Sequence, residues 1–470
     1  MPAKEELRTH LEKFDQQHLI DHWDKLSEAD QQSLANAIQQ VDFAALLACV
    51  KDEKNQQLPL WQTDPSLVKP PPAIRLDSDT ELNEKAKLVG EQALRDGHVG
   101  LLIVAGGQGS RLDFHQPKGL YPIGPVSDRT LFQILFDQVI AVQNRYGCKI
   151  PLFVMTSPAT DTETRDYFAE QGYLGLSKDQ IHVFCQGTMP AFDLSTHRVL
   201  MDAPSTLALS PDGHGGMLAA IHSTGGLDLA AKWNLKHFFY CQIDNPLVPI
   251  CDPSWIGHHL LRESELTTVA VEKQQPGDPV GNVVAVGDSV EIIEYSEFHK
   301  LPEEIGGGRD AEERLQLWAG NIAVHVISVQ FLLRMVESGQ DLPIHLARKK
   351  VSYFADGETV KPEKENAFKL ERFIFDLLPK AARPLVIECD KASCFAPVKN
   401  ADAKEGEKEK SDTPSLARAA IVQQHAAWLR KAGVEVGDHQ VEINPCLAMD
   451  ADEVKEKLAD RKIESDTYLS

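Results

Sequence analysis

The residues best suited to chemistry lie at 99–119, VGLLIVAGGQGSRLDFHQPKG, where a short apolar run ends in three closely spaced glycines followed by two cations. The run 99–105 reads as a strand buried on both faces. Gly106, Gly107 and Gly109 carry no Cβ, so the backbone there can approach phosphates or a base edge, and Arg111 and Lys118 add positive charge. This combination predicts a nucleotide site, although the same residues also fit a strand-to-helix turn with two surface cations. A second glycine cluster at 210–216, SPDGHGG, precedes an apolar helix beginning near Met217, and amides at a helix start attract anions.

Other polar residues follow apolar runs. Gln186, before Gly187, has a carboxamide that can pair with both a donor and an acceptor on a nucleobase edge. Asp244 ends the apolar stretch HFFYCQIDNP. A carboxylate there suits magnesium, which takes one or two carboxylates plus phosphate oxygens and water; Asp-Asn-Pro is equally a turn sequence. Glu294, Tyr295 and Asn321 stand at strand ends and suit sugar hydroxyls. Lys369 and Lys399 sit between short apolar runs, from which a lysine reaches inward as a point charge. Phe373 and Phe375 alternate as core residues do.

The totals narrow the classes. The 470 residues, 42% hydrophobic, suit two or three domains at ~150 residues each. A formal charge of −22 argues against a nucleic-acid partner. Phosphate substrates would be repelled overall, so their site needs local cations, helix starts or a divalent metal, which points to magnesium. No run approaches the ~18 apolar residues of a spanning helix, and MPAKEELRTHLEKFD lacks a signal-peptide centre. A cytoplasmic protein with no membrane partner is expected. Eight cysteines without a C-x-x-C pair predict buried free thiols rather than zinc or disulfides.

Periodicity places these residues. The first 60 residues read as helices, with Leu7, Leu11 and Phe14 on one face, Leu34, Ile38 and Val41 on another, Ser27 and Asp30 as a cap, and Trp23 in a core. VKPPPAIRL must be an extended connector. Ser78 and Glu81 have capping-box spacing for a helix to about Arg95, and Thr130 can cap a helix with a Leu131, Leu135, Val139, Val142 stripe. Apolar runs at 151–156, 181–184, 237–243, 266–271 and 322–329 complete an α/β sheet, with a hairpin at 283–293. Residues 302–313 and 402–412 read as surface loops, 414–432 as a helix, and 451–462 as a last, largely polar helix.

In chain order stand AGGQGSRL with PKG, MTS, FCQGTMPAF, SPDGHGG, YCQIDNPLV with CDP, EKQQPGDPVGNVV, IIEYSEF, GNIAVH, KLERFIFD and FAPVKNAD. Spanning roughly residues 100–430, they resemble the eukaryotic-type UDP-sugar pyrophosphorylases, most closely the UDP-N-acetylglucosamine pyrophosphorylases. The resemblance implies a Rossmann-like, mixed, mostly parallel sheet of the nucleotidyltransferase type, with a helical amino-terminal region (1–76), a catalytic domain (77–400) and a small carboxyl-terminal domain (401–470). It implies a magnesium-dependent enzyme joining UTP to N-acetylglucosamine 1-phosphate, with release of pyrophosphate. By motif, Arg111, Lys118 and Lys399 are the catalytic cations. Val104, Ala105, Gly106, Gly107, Gln186, Gly213, His214, Asp244 and Lys369 bind nucleotide, with Asp244 also the metal anchor. Gly281, Glu294, Tyr295, Asn321, Phe373 and Phe375 surround the sugar.

The chain departs from the family pattern at Ser110 for threonine, at Asp113 for the glycine expected after Arg-Leu, and at His214 for asparagine. Asp113 implies either an outward side chain or a locally different loop. Competing readings are a uridylyltransferase for glucose 1-phosphate or another hexose phosphate, and a nucleotide-sugar binding protein without catalysis. The glycine spacing is neither G-x-G-x-x-G nor a P-loop, which disfavours nicotinamide enzymes and P-loop kinases. Oligomeric state is left open.

Overall fold

The computed structural model describes residues 4–51, 59–76, 78–458 and 461–470. The apolar runs become strands of one large sheet. Its main path runs Ala73–Ile74, Leu385–Cys389, Leu266–Glu272, Ala319–Ser328, His237–Gln242, Val99–Val104, Leu152–Thr156, Ile181–Cys185. Every neighbouring pair on this path is parallel except the two made by Ala319–Ser328. The fold is therefore Rossmann-like α/β with a mixed, mostly parallel sheet. Leu152–Thr156 is buried throughout, as a strand covered on both faces must be. The expected hairpin forms from Asn282–Val286 and Ser289–Ile293. The proline connector contributes Val68–Lys69 beside the hairpin and Ala73–Ile74 at the end of the path, so its prolines interrupt no central strand.

Helices flank this sheet. Thr130 and Gln133 form a capping box for Leu131–Tyr146, which ends at Gly147 with φ +63°. Its Leu131, Leu135, Val139 and Val142 stripe packs in the sheet's core. The helix Thr80–Arg95 is capped by Asp79, not by Ser78: the Asp79 carboxylate accepts from the Glu81 and Leu82 amides. It packs against Pro253–Leu261 through two glycines. A Cβ at Gly90 would lie 1.8 Å from the Pro253 carbonyl oxygen, and one at Gly257 1.6 Å from that of Ala86.

The chain forms two compact units rather than three consecutive ones: one comprises 1–59, 186–219 and 341–376, and the other 60–185, 220–340 and 377–470. The physical reason lies in the first unit's core. There Leu7, Leu11, Trp23, Leu34 and Ile38 pack with Phe192, Val199, Phe368 and Leu370, so the early helices bury their apolar faces on much later chain. In the second unit, the carboxyl-terminal residues Leu429, Val441, Ile443, Val454 and Leu469 form a small cluster of their own.

Besides the cap at Asp79, three local expectations are corrected. The last helix is Ala451–Leu458; residues 459–460 lie outside the described set, and 461–462 are not helical. A short helix, Glu303–Gly306, interrupts the expected loop. Cys389 and Cys394 form a disulfide across one short turn, and of the six cysteines outside it only Cys241 and Cys251 are buried.

Candidate functional site

Two adjacent parallel strands create the first cluster, which lies wholly in the larger unit. Val104 pairs with Gln242, and the Ile243 amide donates to the Val104 carbonyl at 3.0 Å. Residues 105–107 therefore leave the sheet beside Asp244, at the carboxyl ends where ligands collect in α/β sheets. Ser157 Oγ donates to the Gly106 carbonyl at 2.7 Å and fixes that peptide. The Lys118 amide donates to the Gly107 carbonyl at 3.0 Å, folding the loop back. Lys118 Nζ then lies 3.2 Å from Asp244 Oδ2, with the two side chains only 11% and 12% exposed. A Cβ at Gly107 would meet only Lys118 Cε, at 4.0 Å, so its backbone stays open to a ligand.

Lys399 and Arg111 join this cluster through the backbone. The Val398 amide donates to the Asp244 carbonyl at 2.8 Å, which brings the backbone leading into Lys399 against the Asp244 turn. Lys399 Nζ is 3.8 Å from Asp412 Oδ2. Burial raises the Asp412 pKa, while Lys399 opposes the shift. The Ala401 amide donates to the Arg111 carbonyl at 2.8 Å, and the Arg111 side chain is exposed. Cations, a partly buried carboxylate and open backbone thus share one neighbourhood. It can neutralise a polyphosphate and offer one or two carboxylates to a hard cation. Among the described residues no group of three or more His, Cys, Asp or Glu could enclose a metal without such a substrate.

Asp113 turns outward. It adopts φ +55°, in the left-handed region that favours glycine, and its side chain is 74% exposed, 3.7 Å from Lys404. The family's glycine and this aspartate thus meet the same backbone need, since aspartate tolerates that region better than most side chains.

A second cluster in this unit gathers three of the sugar candidates. The Asn321 amide donates to the Gly281 carbonyl at 2.7 Å. A Cβ at Gly281 would lie 3.5 Å from Glu294 Oε1 and 3.8 Å from Asn321 Cβ. Asn321 Oδ1 also accepts from the Ala323 amide at 3.0 Å, steadying a bend where Ala323 takes φ +55°. Tyr295 opens the short helix Tyr295–Phe298 with 55% of its surface in solvent.

The smaller unit holds the remaining candidates. The turn at 212–216 is laced to residues 372–374: the Arg372 amide donates to the Asp212 carbonyl at 2.7 Å, and the Gly215 amide to the Arg372 carbonyl at 2.8 Å. Gly213 takes φ +85°, and a Cβ there would meet the Arg372 carbonyl oxygen at 2.4 Å, so only glycine fits. His214 Nδ1 accepts from the Ile374 amide at 3.1 Å, which leaves the ring proton on Nε2 as a donor. Burial, helped by His345, pushes His214 down to about 4, keeping it neutral. Its ring lies against Phe373 and Phe375, whose rings stack at 4.9 Å. Lys369, on Ala367–Glu371, has Nζ 3.4 Å from Glu371 Oε1.

Asp212 emerges only in three dimensions. It is 5% exposed and wedged between Gly187 and Gly216, whose Cβ atoms would come within 2.7 and 2.1 Å of its carboxylate. Burial raises its pKa to about 6, against the pull of Arg372. The Asp212 backbone amide donates a hydrogen bond to the Gly187 carbonyl at 3.1 Å and so holds the loop of the buried Gln186. In the sequence Asp212 is only one residue of the 210–216 glycine cluster, because Gly187 and Arg372 are far away along the chain. Asp412 is hidden similarly inside a charge run.

The model of the family described as UTP–glucose-1-phosphate uridylyltransferase matches residues 43–457. The chain belongs to that family. It is accordingly a nucleotidyltransferase, and its motif resemblance to UDP-sugar pyrophosphorylases holds. The chain is 35% identical over 442 residues to the UDP-N-acetylglucosamine pyrophosphorylase of Saccharomyces cerevisiae, covering 90% of each. It is 32% identical over 456 residues to the UDP-N-acetylhexosamine pyrophosphorylase-like protein 1 of Xenopus tropicalis, covering 93% of this chain and 86% of that one. Among solved structures, the uridine diphosphate N-acetylglucosamine pyrophosphorylase of Trypanosoma brucei superposes with a TM-score of 0.83 at 25% identity, covering 100% of this uridylyltransferase-family chain and 98% of its own. A UDP-glucose pyrophosphorylase of Leishmania major shares the fold at a TM-score of 0.60 and 17% identity, covering 79% and 77%.

Proposed function

We propose that this uridylyltransferase joins UTP to N-acetylglucosamine 1-phosphate, forming UDP-N-acetylglucosamine and pyrophosphate. The observation that carries the reading is the Lys118–Asp244 pair at the carboxyl ends of two parallel strands, with the backbone leading into Lys399 against the Asp244 turn. A partly buried Lys–Asp pair adds little net stability, because desolvation of both charges offsets their attraction. Such a pair beside open glycine amides is better suited to receiving a polyphosphate. The sugar phosphate oxygen attacks the α-phosphorus in line, so the protein's task is alignment and charge neutralisation. Lys118 and Arg111 take the departing pyrophosphate, and Lys399 meets the attacking phosphate. Asp244 is the residue that would hold magnesium, which when bound supplies further neutralisation of the phosphates. Gly281, Glu294 and Asn321 address sugar hydroxyls. In the smaller unit, Gln186, Gly213 and His214 are assigned to the nucleoside, Lys369 to its phosphates, and Phe373 and Phe375 to the sugar.

The test is pyrophosphate release from UTP with a panel of sugar 1-phosphates, with and without magnesium. Preference for N-acetylglucosamine 1-phosphate and dependence on magnesium support the reading. Preference for glucose 1-phosphate, the activity in the family model's description, favours the nearest rival. No release with any sugar overturns both.

A further inference from the structure

Lys273 is a buried cation that the reaction above does not use. It is 3% exposed, and burial pushes its ammonium down to about 8. Its Nζ donates to Asn282 Oδ1 and lies 4.3 Å from the Phe298 ring centre. Asp278 is the charged group that acts on it electrostatically.

Asn282, 1% exposed, is where three chain segments meet. It directly follows Gly281. It pairs with Ile293 across the hairpin and with Gly320 on the neighbouring strand, and Glu294 and Asn321 are the next residues along those two segments. The Asn282 carboxamide also donates to the carbonyls of Val280 and Ile293, each at 3.4 Å. Gly281, Glu294 and Asn321 are therefore each one residue from a position aligned by Asn282. The Lys273 stem also fits against Gly320, where a Cβ would come within 3.1 Å of Lys273 Cγ.

We propose that Lys273 is a positioning residue for the sugar site, its ammonium locking Asn282 and through it the relative placement of Gly281, Glu294 and Asn321. The proposal rests on the sugar-site reading above. An apolar side chain of similar length could fill the same space without the cost of burying a charge. What the charge adds is a directional bond to one carboxamide at the junction.

The test compares wild type with Lys273→Met, with Lys273→Gln as a second variant that keeps a shorter N–H donor. Lys273→Met should raise KM for the sugar 1-phosphate about tenfold and leave KM for UTP and kcat within about twofold; Lys273→Gln should fall between. An unchanged sugar KM in folded Lys273→Met overturns the proposal, as does an equal loss in both KM values and kcat. Hydrogen exchange separates this from failure of the functional reading, because it requires no turnover. The Asn321 amide, which donates to Gly281, should exchange faster in the variants while the Val99–Val104 amides keep wild-type rates. Unaltered exchange at Asn321 overturns the proposal even if wild type uses another substrate.

Discussion

At Asp113 a backbone angle explains what the charge does not. Its φ of +55° calls for glycine, and its carboxylate points to solvent near Lys404. Both side chains are 74% exposed, so the ion pair contributes little. Asp113→Gly should change stability by less than about 1 kcal/mol and leave turnover unaltered, as urea unfolding and steady-state rates will register. Lys399 makes the opposite case. Its backbone is fixed on both sides by bonds through Val398 and to Asp412, so the side chain can be removed without loosening the loop. Lys399→Ala should lower kcat by about a hundredfold or more with the thermal midpoint retained; near-wild-type turnover would remove it from the reaction. That Gly107, Lys118 and Asp244 gather at strand ends was legible, because a glycine loop or a carboxylate directly after an apolar run falls at the carboxyl end of a parallel strand. The buried settings of Asp212 and Lys273 were not, because they depend on distant partners such as Gly187 and Phe298.

Strands and helices followed hydrophobic period closely where burial is two-sided. The runs at 99–104 and 237–242 became paired strands, and the Thr130 cap formed as its spacing required. Errors fell where short-range alternatives compete, as with Asp79 displacing Ser78 at a helix start. The contact between Thr80–Arg95 and Pro253–Leu261 has no local sequence signal, since Gly90 and Gly257 look like poor helix residues. Their reason is the close approach of two backbones. Gly257→Ala should therefore destabilise by about 1–3 kcal/mol despite its better helix propensity, because the methyl would meet the Ala86 backbone at 1.6 Å. A shift of the urea midpoint to higher concentration would contradict that packing argument.

Across the whole molecule, stability should fall on mild acidification. His214, His237 and His425 are each held near 4 by burial, whereas unfolded histidine titrates at 6.5. Folded-state pKa values are depressed, so their contribution is complete above pH 6.5 and is lost as pH falls toward 4. At pH 5 each loss is roughly 2 kcal/mol. Asp212 has the opposite sign: raised to about 6, it makes the fold more stable as pH drops from 6 toward 3.8. Urea midpoints should decline between pH 7 and 5, and the decline should steepen in Asp212→Asn. A flat profile would contradict the burial of these histidines.

The interleaving of the two units has a consequence for synthesis. The helices within residues 4–51 leave the ribosome well before the rest of their unit, whose last segment ends at residue 376. About 320 residues must be added in between, which takes roughly 15 to 60 s at ordinary elongation rates. For nearly all of that interval the faces bearing Leu7, Leu34 and Phe43 lack Phe368, and for its first part they lack Phe192 as well. These early helices are thus a natural client for a holding chaperone, and slow translation would lengthen their exposure.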